Sequence, residues 1–147
     1  MKHIYLLNGP NLNLLGLREP DVYGHSTLQD VEHALVKQAC HHASHATVLH
    51  HQFNDEAQMI ECIHHIFKDE HAHGVIINPA GWTHTSVALR DALSMLNVPI
   101  VEVHISNIHA REAFRHQSYV SGIATGVICG LGTQGYRLAL DFLLSQL

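Results

Sequence analysis

The chain has 147 residues, 46% apolar and only 14% charged, with 16 histidines and a formal charge of −5 when these are neutral. That length suits one domain with a proper core, expected to span residues 1–147, and the acidic balance leaves no basic footprint for nucleic acid. So few charges point to surface hidden in an oligomer, although neutral histidine can also cover a surface.

His3–Leu7 is a short apolar run of β-formers and reads as a buried strand. Asn8 to Gly24 (NGPNLNLLGLREPDVYG) is too long for an ordinary connection of about 4–6 residues. It reads as an active-site loop anchored by Leu12, Leu14, Leu15 and Leu17. Ser26 and Thr27 can cap a helix, with Gln29 and Asp30 three residues on. Leu28, Val31, Leu35 and Ala39 then recur at helical spacing, and the helix is expected to end near His45. Thr47–Phe53 reads as the second strand. Asn54 or Asp55 caps the next helix, whose apolar stripe is Met59, Ile60, Ile63, Ile66 and Phe67. Gly74–Asn78 is a strand apolar on both faces, broken by Asn78-Pro79-Ala80-Gly81. A helix over about Thr85–Leu96 follows, then a strand at Ile100–Val103 and a polar segment from His104 to Ser118. Ile123–Cys129 is a fifth strand. Leu131 to Gly135 turns into a last helix with Tyr136, Leu140, Leu143, Leu144 and Leu147 inward. Strands without polar faces that alternate with helices imply a parallel sheet covered on both sides. The expected fold is α/β, a flavodoxin-like three-layer sandwich with strand order 2-1-3-4-5 and right-handed crossovers.

In such sheets ligands bind beyond the carboxyl ends of the strands, at the switch point between strands 1 and 3. Asn8 to Tyr23, Asn78 to His84 and the segment from His104 should therefore converge on one cleft. The end of strand 2 (Gln52, Asn54, Asp55, Glu56) lies to the outer side and is a weaker candidate. Tyr23 is a poor base near its ordinary pKa, but a cation such as Arg18 beside it favours the phenolate. The alternative is a surface arginine and a partly packed tyrosine. Glu102 lies two residues before His104, on the same side of an extended chain, and could orient the imidazole and select its tautomer. A structural histidine at a strand end is the plainer reading. Asn78 and His84 could bond substrate hydroxyls, with Ser86, Arg90 and Asp91 completing the set. Asp91 is about two helical turns from the cleft, far for its own site but within reach of a neighbour's; Arg90-Asp91 also reads as a solvated face. Arg111 and Arg115, at i,i+4 on a short helix with Glu112 between, could meet an anionic or hydroxylated ligand or simply form another solvated face.

The histidine pairs (His41-His42, His50-His51, His64-His65, His71 with His73) invite a metal, but no cysteine or carboxylate completes a recognised spacing. They read as surface histidines, and below about pH 6.5 their charging reverses the sign of the chain. Cys40, Cys62 and Cys129, without a CxxC, fit buried thiols in a reducing compartment. The apolar start MKHIYLL breaks at Asn8-Gly9-Pro10, too soon for a signal peptide, and no run approaches the roughly 18 residues of a membrane span. A cytoplasmic protein is expected. There is no GxxxxGK[ST] loop, and no GxGxxG follows strand 1.

With these segments assembled, the chain resembles type II 3-dehydroquinate dehydratase (type II dehydroquinase). The stretches that carry the resemblance are LNGPNLNLLGLREPDVYG at 7–24, NPAGWTHTSVALRDAL at 78–93, VPIVEVHISNIHAREAFR at 98–115 and SGIATGVICGLGTQGYRLAL at 121–140. QFNDEA at 52–57 and Trp82 depart mildly from the family pattern, and Gly81 with Trp82 bears on the floor of the site. The resemblance implies conversion of 3-dehydroquinate to 3-dehydroshikimate by loss of water, with no cofactor, metal or Schiff base. It implies Tyr23 as the base, Arg18 as the cation that holds it as phenolate, and Asn11 facing the enolate through an ordered water. His104 becomes the acid, oriented by Glu102. Asn78, His84 and Arg115 would hold substrate hydroxyls, and the backbone N–H groups of Ile105 and Ser106, with the Ser106 side chain, the carboxylate. Asp91 would reach in from a neighbouring subunit of a trimer, four of which build a dodecamer, and Arg111 takes a structural or interface role. The other reading is a non-catalytic or FMN-binding flavodoxin-like domain. Against it, the loop after strand 1 has no hydroxyls for an FMN phosphate, and Asn8 and Asn78 stand where a receiver domain needs acids.

Overall fold

The computed structural model describes residues 1–147. In chain order the elements are β1 (His3–Asn8), the helical turn α1 (Pro20–Tyr23), α2 (Leu28–His41), β2 (Thr47–Gln52), α3 (Glu56–Lys68), β3 (Ala72–Asn78), α4 (Val87–Ser94), β4 (Ile100–His104), β5 (Gly126–Cys129) and α5 (Gln134–Ser145). The strands form one parallel sheet in the order β2-β1-β3-β4-β5, the expected flavodoxin-like arrangement.

Alternation along the strands builds the two outer layers. Ile4, Leu6, Ile76, Val101 and Val103 face Leu35 of α2 and Leu140 and Leu143 of α5. Tyr5, Leu7, Val75, Ile77 and Ile100 face the other way, onto Met59 and Ile63 of α3 and Leu89 and Leu93 of α4. Each such aliphatic side chain removed from water contributes roughly 1.5–3 kcal/mol. Because both faces of the central strands β1, β3 and β4 are covered, these read as continuous apolar runs, whereas the edge strand β2 carries exposed polar residues.

Several element ends differ from the sequence expectation, each for a local reason. The first long helix stops at His41, not near His45. His42 Nδ1 bonds the Ser44 hydroxyl and accepts the Ser44 N–H, a side-chain alternative to the helix ladder, and His45 turns to a left-handed φ of 50°. The capping box at its start is present, with Thr27 and Asp30 bonding reciprocally. At α3 it is Asp55 that caps, accepting from Ala57 and Gln58, while Phe67 is 55% exposed and lies off the apolar stripe. The helix expected over Thr85–Leu96 is shorter, because Ser86 caps it and Ala80–His84 forms a separate 3-10 turn. The fifth strand begins at Gly126, not Ile123. Ile123 and Ala124 turn back to the Val120 carbonyl, and pairing with β4 starts only where the Thr125 N–H reaches the Ile100 carbonyl. Arg111 and Arg115 do not share a helix; Arg111 follows one 3-10 turn, 108–110, and Arg115 ends the next, 113–115. No helix is long and apolar enough to cross a membrane.

The register of β1 on β3 fixes the place of the site. Leu7 pairs with Ile77 and Asn8 with Asn78, so both strands end at one level. The Gly9 N–H donates to the Asn78 carbonyl at 2.8 Å, which seams the two departing loops together. A Cβ on Gly9 would lie 2.4 Å from the Pro79 carbonyl oxygen. Gly9→Ala is therefore expected to destabilise the fold by about 3 kcal/mol, the upper end of overpacking costs. Denaturant unfolding checks this, and a loss under about 0.5 kcal/mol, the size of an ordinary surface substitution, would contradict the close approach.

Candidate active site

Three of the loops at the carboxyl ends of the strands enclose a cleft of about 170 Å³. Asn11, Arg18, Tyr23, Asn78, His84, His104, Ile105, Ser106 and Arg115 all line it, as the sequence led one to expect, and Arg111 lines it too. Glu102 and Asp91 do not.

The loop after β1 is anchored in part. Leu12 and Leu15 are buried, whereas Leu14 and Leu17 are 46% and 79% exposed, so only two of the four expected anchors hold it. Asn11 sits at a left-handed φ of 70° before a 3-10 turn at Leu12–Leu14, and its backbone N–H donates to Asn54 Oδ1 at 2.9 Å. Gln52 Nε2 bonds both Asn54 Oδ1 and the Gly9 carbonyl. The end of β2 thus stays off the cleft yet holds the residue that lines it, a role that no local spacing signals.

Glu102 is 0% exposed, behind His104 rather than in the cleft. Its Oε2 makes a short contact with His104 Nε2, as the extended two-residue spacing implies. Thr83 Oγ1 donates to the same oxygen at 3.3 Å, and Ser121 Oγ donates to Oε1 at 2.8 Å. Burial pushes the Glu102 carboxyl upward, but the hydrogen bond and charge of His104, with the serine hydroxyls, outweigh it and hold the group below the usual glutamate value. A buried carboxylate with this many donors keeps His104 in one orientation, with Nε2 on the acid and Nδ1 free of any bond within the chain. The supporting hydroxyls of Thr83 and Ser121 went unnoticed in the sequence; each is 19 residues from Glu102.

At Tyr23 the structure places two arginines, Arg18 as expected and Arg111 beside it. The Arg18 guanidinium lies over the ring, 4.9 Å from its centroid, and also pairs with Glu19 at 3.2 Å. Arg111 Nη1 meets the Tyr23 hydroxyl at 3.1 Å and Ser106 Oγ at 3.1 Å. Arg111 is thus a cleft residue that bridges Tyr23, on the loop after β1, to Ser106, on the loop after β4. Its position just past strand 4, beside His104, was the available signal; the i,i+4 pairing with Arg115 drew attention to a shared helix face that does not form.

The N–H groups of Ile105 and Ser106 make no bond within the chain, and both residues border the cleft beside Arg111. This is a concave patch of free donors, suited to a carboxylate. Arg115 pairs with Glu112 at 2.5 Å and its guanidinium packs on Phe114. Asn78 bonds inward to Tyr136 and to the Ala80 N–H. Ser86 caps α4 and reaches Glu56, and Arg90 donates to the Tyr119 carbonyl at 2.7 Å, so these two candidates brace the scaffold. Asp91 is exposed on α4, away from this cleft. Gly81 lines the floor, whereas Trp82 packs into the core beneath α4. No three His, Cys, Asp or Glu side chains converge to hold a metal ion.

A flavodoxin-like sheet whose cleft sets a cation-flanked tyrosine and a carboxylate-oriented histidine around free anion donors defines an acid–base enzyme for a small anionic substrate. Residues 2–144 match the family described as Dehydroquinase class II, and the chain belongs to it. It is 56% identical over 146 residues to the 3-dehydroquinate dehydratase of Janthinobacterium sp. (strain Marseille), covering 99% of both chains. It is 54% identical over 147 residues to that of Marinobacter nauticus, covering 100% of this chain and 99% of the relative. The crystal structure of the type II dehydroquinase from Propionibacterium acnes superposes with a TM-score of 0.91 at 46% identity, over 99% of this chain and 97% of the other. The FMN-binding and non-catalytic readings find no support in these relatives.

His84 Nδ1 bonds the Gln117 carbonyl at 2.8 Å. Burial lowers its pKa, helped by positive charge at His104 and Arg115 and opposed by the Gln117 hydrogen bond, so the ring titrates below the ordinary 6.5. The unfolded chain then takes up this proton first. The contribution to stability is present above about pH 6.5 and is lost as pH falls through the lower folded value. An NMR titration is expected to place the His84 ring below 6.5, and a value above it would contradict the buried, neutral imidazole.

Proposed function

We propose that this chain, as one catalytic domain spanning residues 1–147, removes water from 3-dehydroquinate to give 3-dehydroshikimate through an enolate. It is a hydro-lyase of the shikimate pathway. The observation that carries the division of labour is the pairing of Tyr23 with Arg111 and of His104 with Glu102 on one cleft.

In this reading Tyr23 is the base. Arg111 at its hydroxyl and Arg18 over its ring set positive charge beside the oxygen that takes the proton from the carbon next to the ketone. The electron pair moves onto the ketone oxygen. Asn11 faces that oxygen through an ordered water and stabilises the developing charge. The enolate then collapses, the carbon–oxygen bond to the neighbouring hydroxyl breaks, and His104 delivers the proton that makes it water. Glu102 steadies the imidazolium before transfer and the tautomer after it. Each turnover leaves a proton on Tyr23 and removes one from His104, and exchange with solvent resets both.

The Ile105 and Ser106 N–H groups, with the Ser106 hydroxyl, take the substrate carboxylate. Asn78, His84 and Arg115 hold its hydroxyls, His84 as a neutral ring. Two polar clamps on a small, rigid substrate provide the near-attack alignment that an elimination needs. Asp91, exposed on α4, serves a neighbouring subunit's cleft in a trimer, four of which form a dodecamer. Val87 at 52% and Phe114 at 64% exposed supply apolar surface for such contacts. The enzyme works in the cytoplasm without a cofactor.

Incubation with 3-dehydroquinate is expected to raise near-UV absorbance as the enone forms; no rise from a correctly assembled oligomer would overturn the reading. Tyr23→Phe is expected to lower kcat by about 10²–10⁴-fold with a much smaller change in KM. Equal effects on both would make Tyr23 a binding residue and not the base.

A further inference from the structure

At the floor of the cleft, three side chains form a hydrogen-bond chain that only Asn78 opens to the cleft. Asn8 and Tyr136 are 0% exposed and Asn78 is 3% exposed. The Tyr136 hydroxyl donates to Asn8 Oδ1 at 2.7 Å and accepts from Asn78 Nδ2 at 2.8 Å. Asn78 Oδ1 accepts from the Ala80 N–H at 3.1 Å.

The valences orient the amide. A tyrosine hydroxyl has one hydrogen. With that hydrogen on Asn8, the hydroxyl can only accept from Asn78. The Ala80 N–H, on the opposite side, can only donate. Asn78 must therefore turn its nitrogen to Tyr136 and its oxygen to Ala80. A flipped amide would face a donor with a donor at Ala80 and an acceptor with an acceptor at Tyr136, and burial makes both mismatches costly. Of the two N–H groups on Nδ2, one is used on Tyr136 and one remains. Burial pushes the Tyr136 hydroxyl well above the ordinary tyrosine value, so it keeps its proton at any working pH.

We propose that the Tyr136 hydroxyl is a positioning group for the reaction, which locks the Asn78 amide in the one orientation that offers a donor to a substrate hydroxyl. This rests on the reading above that Asn78 contacts substrate. Tyr136 belongs to the first turn of α5, 58 residues from Asn78, so the last helix of the chain takes part in setting the polarity of a cleft it does not line.

A double-mutant cycle tests this. Tyr136→Phe leaves the ring in the core and removes only the hydroxyl. It is expected to lower kcat/KM about tenfold, mostly through KM, the size of one lost hydrogen bond. In an Asn78→Ala background the same substitution is expected to change kcat/KM less than twofold, since the amide it orients is gone. An equal loss in both backgrounds would overturn the proposal while leaving Asn78 as a substrate contact, because it would mean that the hydroxyl acts through core packing. An unchanged kcat/KM for Tyr136→Phe would overturn it too. An unchanged kcat/KM for Asn78→Ala alone would remove the contact on which it rests, and the proposal with it. Should Tyr136→Phe fail to fold, Asn8→Leu frees the tyrosine proton at nearly constant volume. It must then show the same dependence on Asn78, or the proposal falls. Turnover by the unmutated chain in the same assay separates these outcomes from a failure of the dehydratase reading.

Discussion

The in-register pairing of β1 with β3 is the constraint on which the site depends. Asn8 and Asn78 end their strands side by side, and the loops that follow leave together because Gly9 carries no side chain to hold them apart. With β2 on the far side of β1 and β4 on the far side of β3, these two loops flank the point where the strand order reverses. A slip of one residue would turn Ile4, Leu6 and Ile76 from one helical layer toward the other, so the burial of both faces fixes the register that builds the cleft. Packing energy and catalytic geometry are therefore set by the same contacts.

Upon that floor the chain arranges charge unequally. Glu102 is wholly buried, an expensive place for a carboxylate, and is kept charged by His104 and by hydroxyls from the turn before α4 and the segment before β5. Three arginines gather at the open side, two of them about one tyrosine ring. His104 belongs to the sheet, whereas Tyr23 belongs to a loop held by two buried leucines and by a few polar contacts, among them those from Asn11 to Asn54 and from Arg111 to Tyr23. This contrast suits a site that must admit a substrate and then exclude water around it.

The differences from the sequence expectation share a cause. Helix ends moved where a side chain found its own backbone, as at His42 and Ser86, a competition that periodicity does not register. Phe67 continued an apolar stripe by spacing but falls off the buried face of α3, beside Ile66, which is 2% exposed. The contact of Arg111 with Tyr23 spans 88 residues, and no local pattern relates the two. Asn54, Thr83, Ser121 and Tyr136 carry supporting bonds whose donors and acceptors are far apart in the chain.

The sequence by itself determined the strands, their order and the three segments that meet at the cleft, since apolar runs and their interruptions follow from burial alone. It also placed most of the side chains that line the cleft, because residues just past a strand's carboxyl end gather at that edge of the sheet. Only the tertiary structure decided how those side chains are held: which arginine meets the tyrosine hydroxyl, which hydroxyls keep Glu102 charged, and how Asn8 and Tyr136 orient Asn78. Those choices are pairings across dozens of residues, where each polar group must find a partner once water is gone, and the identity of that partner is a property of the packed fold and not of any stretch of chain.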